Sequence, residues 1–238
     1  MFTTKVPPSS RTIISPSEAC AVIPAYNESS SIAFLVREIL SFGISVLVVD
    51  DGSSDSTFEE ARGAGARVIS LGKNCGKGVA LTCGLSFAKR SRYKFAVVLD
   101  GDGQHSPSDA MRLLLFLKAQ DVDLVIGNRM EEVGRMPFVR RFTNRFMSAV
   151  LRILTGAKIP DTQCGLRALK LSSFDFSKMR CRRFDWESEL IVRAVRDRLR
   201  IVSVPIGCFY NRGMSSKIRV VPDTFRFILL VLRSILRR

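Results

Sequence analysis

From Ala19 onward the chain alternates short runs of β-branched and other apolar residues with longer segments whose apolar positions recur at helical spacing. The runs are ACAVI, ISVLVVD, ARVIS, KFAVVLD and DLVIG, with RIVSVPI following later. Between the first five lie segments with helix signals, at 31–41, 56–63, 77–90 and 108–120. Strand runs separated by helical segments predict an α/β domain with a mainly parallel sheet, in which ligands gather at the carboxyl ends of the strands. After Asn128 the pattern changes to a loop carrying Gly134 and Pro137. A long amphipathic helix is predicted near 137–154, then a segment DTQCGLRALK and a second helix over 185–197. No internal repeat or low-complexity linker interrupts the chain, so one domain over 19–221 is expected, with a loose polar arm at 1–18.

The tail, 222–238, is apolar and basic. Arg226, Arg233 and Arg237 fall within about 40° of one another on a helical wheel, a pattern shared by interfacial helices and by helices packed on a core. No apolar run reaches the roughly 18 residues of a membrane-spanning helix; Phe227 to Leu232 is the longest candidate.

Two of the predicted strands end in acidic groups. LVVDDGSSD places Asp50 and Asp51 after one, and AVVLDGDGQHSP places Asp100 and Asp102 after another. Carboxylates are the hard oxygen ligands of Mg²⁺ or Mn²⁺, ions that commonly complete their shell with substrate phosphates. The glycine within Asp-Gly-Asp lets both carboxylates turn toward one point, and Gln104 adds a neutral oxygen. An isolated DGD is also an ordinary acidic turn; the strand context here favours metal and phosphate. The calcium-loop reading fails because His105 stands where that loop needs Gly and Met111 where it needs Glu. GKNCGKG is not a P-loop either, having three residues between its glycines and Gly78 after the lysine. Lys77 there either approaches a nucleotide or simply belongs to a glycine-rich turn before a helix. His105, the only histidine, reads as a turn residue beside Ser106 and Pro107.

Composition narrows the partners. The 238 residues are 46% hydrophobic and 25% charged, with a formal net charge of +15. Such a charge calls for an anionic partner: nucleic acid, anionic lipid or a phosphorylated substrate. No basic-aromatic motif supports nucleic acid. The six cysteines form no CxxC pair and read as reduced thiols.

Taken together, VIPAYNE, VVDDGSSD, NCGKG, VVLDGDGQHSP, GNR and DTQCGLRAL resemble the inverting glycosyltransferase family 2, and within it the dolichol-phosphate or polyprenyl-phosphate mannose synthase branch. The likeness runs from about Val22 to Lys217. It implies a GT-A fold in which Pro24, Tyr26 and Glu28 border the nucleotide, with Val49 and Asp51 beside its base and ribose. It implies that Asp100 and Asp102 handle the diphosphate through Mg²⁺ or Mn²⁺, that Gln104 completes the ligand set, and that Arg129 reaches phosphate. Lys217 corresponds to the family's basic residue near the end of the catalytic segment. Arg212 is the nearest counterpart of an arginine preceding it, displaced by one residue.

The predicted helix near 137–154 carries Arg141, Arg145 and Arg152 within about 40° of one another, with Arg140 further round. The pattern alone reads as a solvated arginine face. The resemblance implies that Arg140 and Arg145 grip an acceptor phosphate, for which the planar guanidinium fork is suited. FDWESELIVRA offers Asp185, Glu187 and Glu189 where relatives acting on hydroxyl acceptors keep a carboxylate. Glu189 serves either as a base for a hydroxyl or as an arginine partner in the acceptor site, and the second reading is preferred. The expectation is therefore an inverting transfer of a hexose from GDP-mannose or a UDP-sugar to a polyprenyl phosphate. The alternative is transfer to a saccharide or other hydroxyl acceptor during envelope polysaccharide synthesis. The lipid acceptor implies a peripheral enzyme on the anionic cytoplasmic face of a membrane, with a membrane-anchoring partner protein as one means of attachment.

Overall fold

The computed structural model describes residues 14–15, 17–130, 138–180 and 185–207, without the side chains of residues 138–140 and 154. The tail over 222–238, Arg212, Lys217, Cys181 and Cys208 lie outside the described residues, as does the side chain of Arg140.

Seven strands form one sheet: β1 (Ala19–Ala25), β2 (Ser45–Asp50), β3 (Arg67–Ser70), β4 (Phe95–Val98), β5 (Leu124–Asn128), β6 (Arg167–Lys170) and β7 (Ile201–Pro205). Their order across the sheet is β3-β2-β1-β4-β6-β5-β7. All pairings are parallel except those of β6, which runs antiparallel to both β4 and β5. Strand β1 is buried at every position, as the continuous apolar reading of ACAVI requires for a strand covered on both faces.

The helices are α1 (Ser29–Ser41), α2 (Thr57–Gly63), α3 (Lys77–Arg90), α4 (Pro107–Gln120), α5 (Phe138–Thr155) and α6 (Trp186–Arg196). Each falls on a segment with a helix signal. Helix α4 starts where Ser106 caps it by accepting from the Ser108 N–H, with Pro107 in the first turn. Helix α3 lies so close to the sheet that a Cβ on Gly84 would sit 2.5 Å from Val22 Cγ1 and 2.9 Å from Val49 Cγ2. Only glycine permits that approach.

From β1 the chain moves outward to β2 and β3, then returns through α3 to place β4 on the other side of β1. The connections therefore diverge between β1 and β4, and in an open α/β sheet the ligand crevice opens at such a switch point. The loop carrying Tyr26 and Glu28 leaves β1 there, and the DGD turn leaves β4.

Strand β6 was not predicted as a strand. Its first residue, Arg167, is fully buried and donates to three backbone carbonyls, those of Cys164 (2.9 Å), Glu187 (2.8 Å) and Thr162 (2.7 Å). One guanidinium thus ties the 162–167 segment to the first turn of α6. Arg167→Leu removes three hydrogen bonds and leaves buried carbonyls unpaired, so it is expected to cost about 4 kcal/mol. A fall in the urea midpoint at unchanged m-value measures this.

Candidate active site

The sequence following β4 reads Leu99-Asp100-Gly101-Asp102. The Gln104 N–H donates to Asp102 Oδ1 at 3.0 Å, closing the turn, and Ser31 Oγ of α1 donates to the Gly101 carbonyl at 2.6 Å. Glu28 stands beside the turn: a Cβ on Gly101 would lie 3.3 Å from Glu28 Cγ, and the Glu28 charge helps raise the pKa of Asp102. Burial first, and the Asp100 charge second, push Asp102 up to about 6. Asp100 moves the other way. Burial would raise it, but the Lys77 ammonium outweighs that and, with His105 and Arg129 adding smaller effects, holds it below the usual carboxylate range.

Lys77, the first residue of α3, reaches both Asp100 Oδ1 at 2.7 Å and Glu187 Oε1 at 2.6 Å. Burial pulls its ammonium down, and the two facing carboxylates more than reverse this, so Lys77 stays charged. Of the two sequence readings of Lys77, the structure supplies a third partner set, the carboxylates themselves. Gly165 completes this floor: a Cβ there would meet Asp100 Oδ2 at 2.4 Å, so the DTQCGL segment carries glycine where the Asp100 carboxylate presses on the chain.

Arg129 enters from the end of β5. Its Nε donates to Asp161 Oδ2 at 2.7 Å and its Nη2 to Asp161 Oδ1 at 2.9 Å, in a buried two-pronged pair. That pair orients the guanidinium, whose charge is felt at Asp100 and His105. His105 lies in the bend before α4, as a turn residue, and is buried there. Burial, then the Arg129 charge, push it down to about 4, which keeps it neutral near pH 7.

The acidic pair after β2 is committed to building the crevice wall. Asp50 accepts from the Ser53 N–H (3.1 Å) and from Ser70 Oγ (3.2 Å). Asp51 accepts from the Cys75 N–H (2.7 Å) and the Gly76 N–H (2.9 Å), which fastens the NCGKG turn ahead of α3. Val49 is wholly buried and Pro24 is buried beside it in register, whereas Tyr26 is exposed at the crevice side of β1. Sequence reasoning passed over Asp161 and Gly165 although it singled out DTQCGLRAL, and it did not connect Lys77 with Glu187. No local signal links positions so far apart in the chain.

Further along, Glu189 is buried and accepts from the Arg180 N–H (2.9 Å) and from Arg193 Nε (2.9 Å) and Nη2 (2.7 Å). On α5, Asn144, Met147, Ser148 and Leu151 face inward, while Arg145 and Arg152 are exposed and Arg141 is half-buried. Phe142, Phe146 and Ile153 are exposed as well, at 65%, 45% and 83%. These three positions lie within about 40° on the helical wheel, opposite the buried face and next to the arginines.

Divalent metal fits the crevice by the chemistry of its donors. Asp100 and Asp102 are hard oxygen ligands at one turn, and burial and the neighbouring Asp100 charge raise Asp102, so a cation there would find a carboxylate whose charge is otherwise disfavoured. Among the described residues no group of three or more His, Cys, Asp or Glu side chains converges on one point, so most of the shell of such an ion is left to water and substrate oxygens.

The profile of Glycosyl transferase family 2 matches residues 20–191. A UDP-N-acetylglucosamine–dolichyl-phosphate N-acetylglucosaminyltransferase of Methanococcus voltae is 30% identical over 213 residues, covering 80% of this chain and 85% of its own. A polyprenol monophosphomannose synthase of Mycolicibacterium smegmatis is 30% identical over 220 residues, covering 84% and 78%. Among solved structures, glucosyl-3-phosphoglycerate synthase from Mycobacterium tuberculosis, in complex with Mn²⁺, UDP and phosphoglyceric acid, superposes with a TM-score of 0.69. It is 21% identical and covers 92% of this chain and 77% of its own, a likeness that establishes the shared fold, the GT-A arrangement. With strand-end carboxylates at the sheet's switch point and a family profile that spans them, the chain belongs to Glycosyl transferase family 2.

Proposed function

We propose that the protein transfers a hexose from a nucleotide-sugar to the phosphate of a polyprenyl lipid, with inversion at the anomeric carbon. The observation that carries the lipid acceptor is the outward face of α5, where Phe142, Phe146 and Ile153 stand in solvent beside Arg145 and Arg152. Apolar side chains flanked by arginine suit a helix lying in the headgroup region of an anionic membrane, where a polyprenyl phosphate presents its head. The two relatives whose names specify dolichyl-phosphate and polyprenol support the same acceptor class. No helix among the described residues is long and apolar enough to cross a membrane, so surface attachment rests on such a face, on the tail over 222–238, or on an anchoring partner.

The donor lies at the switch point, with Tyr26 and Glu28 on one wall and Asp51 holding the Cys75 and Gly76 turn on the other. Asp100 and Asp102, with Gln104, would hold Mg²⁺ or Mn²⁺, which when bound offsets negative charge on the departing diphosphate. Arg129, oriented by Asp161, adds fixed positive charge at the same end, and Lys217 is assigned to the nucleotide. Arg140 and Arg145 orient the acceptor phosphate. That phosphate is already anionic near neutral pH, so its attack on the anomeric carbon requires positioning and no general base. The state of Glu189 agrees: it is occupied by Arg193 and a backbone N–H, as expected of an orienting group.

The test is incubation with a panel of nucleotide-sugars, Mn²⁺ and polyprenyl phosphate in anionic vesicles, followed by lipid extraction. The expected product is an acid-labile lipid-phosphate sugar. Phe142→Ser combined with Phe146→Ser is expected to lower the rate on vesicles about tenfold while leaving donor affinity unchanged. Label entering a soluble saccharide in place of the lipid would establish the hydroxyl-acceptor reading.

A further inference from the structure

Two hydrogen-bond acceptors beside the Asp100 turn are left unspent by the described residues. The first belongs to Gln163. Its Nε2 donates to Ser188 Oγ at 3.1 Å and to Thr162 Oγ1 at 3.2 Å, and its main-chain N–H donates to Asp161 Oδ1 at 3.3 Å. Both amide protons are engaged, and the amide is fixed with its oxygen left over. The side chain is half-buried and that oxygen is open to solvent. The second belongs to Glu187. Its Oε1 meets the Lys77 ammonium at 2.6 Å, and its buried Oε2 has no hydrogen-bond partner. A buried acceptor without a donor is costly, and a ligand that brings the donor is one physical reason to keep it.

Both acceptors adjoin the turn assigned to the diphosphate. Gly165, two residues beyond Gln163, lies against the Asp100 carboxylate, and Lys77 touches Asp100 and Glu187 together. Ser188, which holds the Gln163 amide, directly follows Glu187 at the start of α6. In a nucleotide-sugar the hexose is bonded to the distal phosphate, so its ring lies next to this turn and carries hydroxyl donors.

We propose that Gln163 and Glu187 form the hexose subsite, each accepting from a hydroxyl of the transferred sugar, and that the Glu187 carboxylate restricts the donor to neutral hexoses. This deepens the proposed function and rests on its nucleotide-sugar donor, while being independent of the acceptor. A hydroxyl brings the missing proton to Oε2, whereas the carboxylate of a hexuronate brings a second negative charge and no proton. The Glu187 side chain keeps a small opening, 6% exposed, and the soft terminal torsion of a carboxylate lets Oε2 turn toward it.

Calorimetry with Mn²⁺ tests this without the lipid. The probes are the matched pairs UDP-glucose with UDP-glucuronate and GDP-mannose with GDP-mannuronate, beside UDP and GDP alone. Gln163→Met keeps the chain length and removes the amide oxygen. It is expected to weaken the preferred neutral nucleotide-sugar about tenfold and leave the bare nucleotide unchanged. In Glu187→Gln the preference for the neutral sugar over its matched hexuronate is expected to shrink about tenfold. A purely structural role would lower the melting temperature and weaken sugar-bearing and bare nucleotides alike, and ratios held at wild-type values would overturn the proposal. Equal wild-type affinity for the two members of the binding pair would overturn it as well. If the wild type binds none of the six nucleotides, the donor reading itself is wrong; if they bind and only the ratios fail to move, the subsite alone is wrong.

Discussion

Replacing Asp102 with Asn is expected to lower turnover about a thousandfold while leaving the fold intact, and to raise the stability of the metal-free protein at pH 7. The two effects share one cause. Asp102 is a partly buried carboxylate beside Asp100, and burial together with that neighbour pushes it up to about 6 from 3.8. A group whose folded pKa is raised weakens the fold when ionised. Its penalty is absent below the unfolded value, develops across the interval up to about 6, and is complete above it. Asn carries no such penalty, so the stability advantage of the variant should be full above pH 6 and fade as the pH falls toward 4. Urea midpoints at a series of pH values measure that advantage. The catalytic loss is of the size seen when a preorganised electrostatic contact to the reacting group is removed. Turnover within threefold of wild type would remove Asp102 from the assigned role.

Gly165→Ala should be nearly as damaging to activity, although nothing about the residue itself is reactive. The added methyl would begin 2.4 Å from Asp100 Oδ2 and 2.9 Å from its Cγ, so the carboxylate must move. Its left-handed freedom is not at issue, because Gly165 is not among the glycines with positive φ. A shift of the order of 1 Å in a catalytic group costs roughly a hundredfold in rate. The expected result is that loss with weakened Mn²⁺ binding and a modest change in melting temperature. Gly63→Ala is the matched control: at the end of α2 a Cβ meets nothing within 4 Å, and a gain of about 0.5 kcal/mol with unchanged activity is expected.

Most of the sheet is legible in the sequence. Strands β1, β2, β4 and β5 announce themselves because a parallel strand buried on both faces must be apolar throughout, whereas the less buried edge strands β3 and β7 show as short β-branched runs between helical segments. Helices α1 to α6 are legible because their spacing is local. Strand β6 escaped because four residues beginning with arginine carry no such signal. Arg167 is tolerated inside only because three carbonyls converge on it, two from the segment just before β6 and one from the first turn of α6. The long helix at α5 was read correctly in place but only in part in character. Its arginine stripe was visible, whereas the exposed Phe142, Phe146 and Ile153 could not be told from core residues until the inward face of the helix was known.

The DGD pair shows the same division. Two carboxylates at the end of an apolar strand, separated by a glycine, are a local pattern, and the sequence by itself determined that they would stand together at a sheet's carboxyl edge. Only the tertiary structure decided which charges meet them. Lys77, Glu187, Arg129 and Asp161 come from α3, α6, the end of β5 and the loop before β6, and strand order brings them to one crevice. It also decided that Asp50 and Asp51 would accept from backbone N–H groups and a serine hydroxyl and so fasten the loops around them. Periodicity and turn chemistry act between neighbours along the chain and can be read there. Charge pairing acts through space between residues that the chain keeps far apart, and becomes readable only when folding has set the distances.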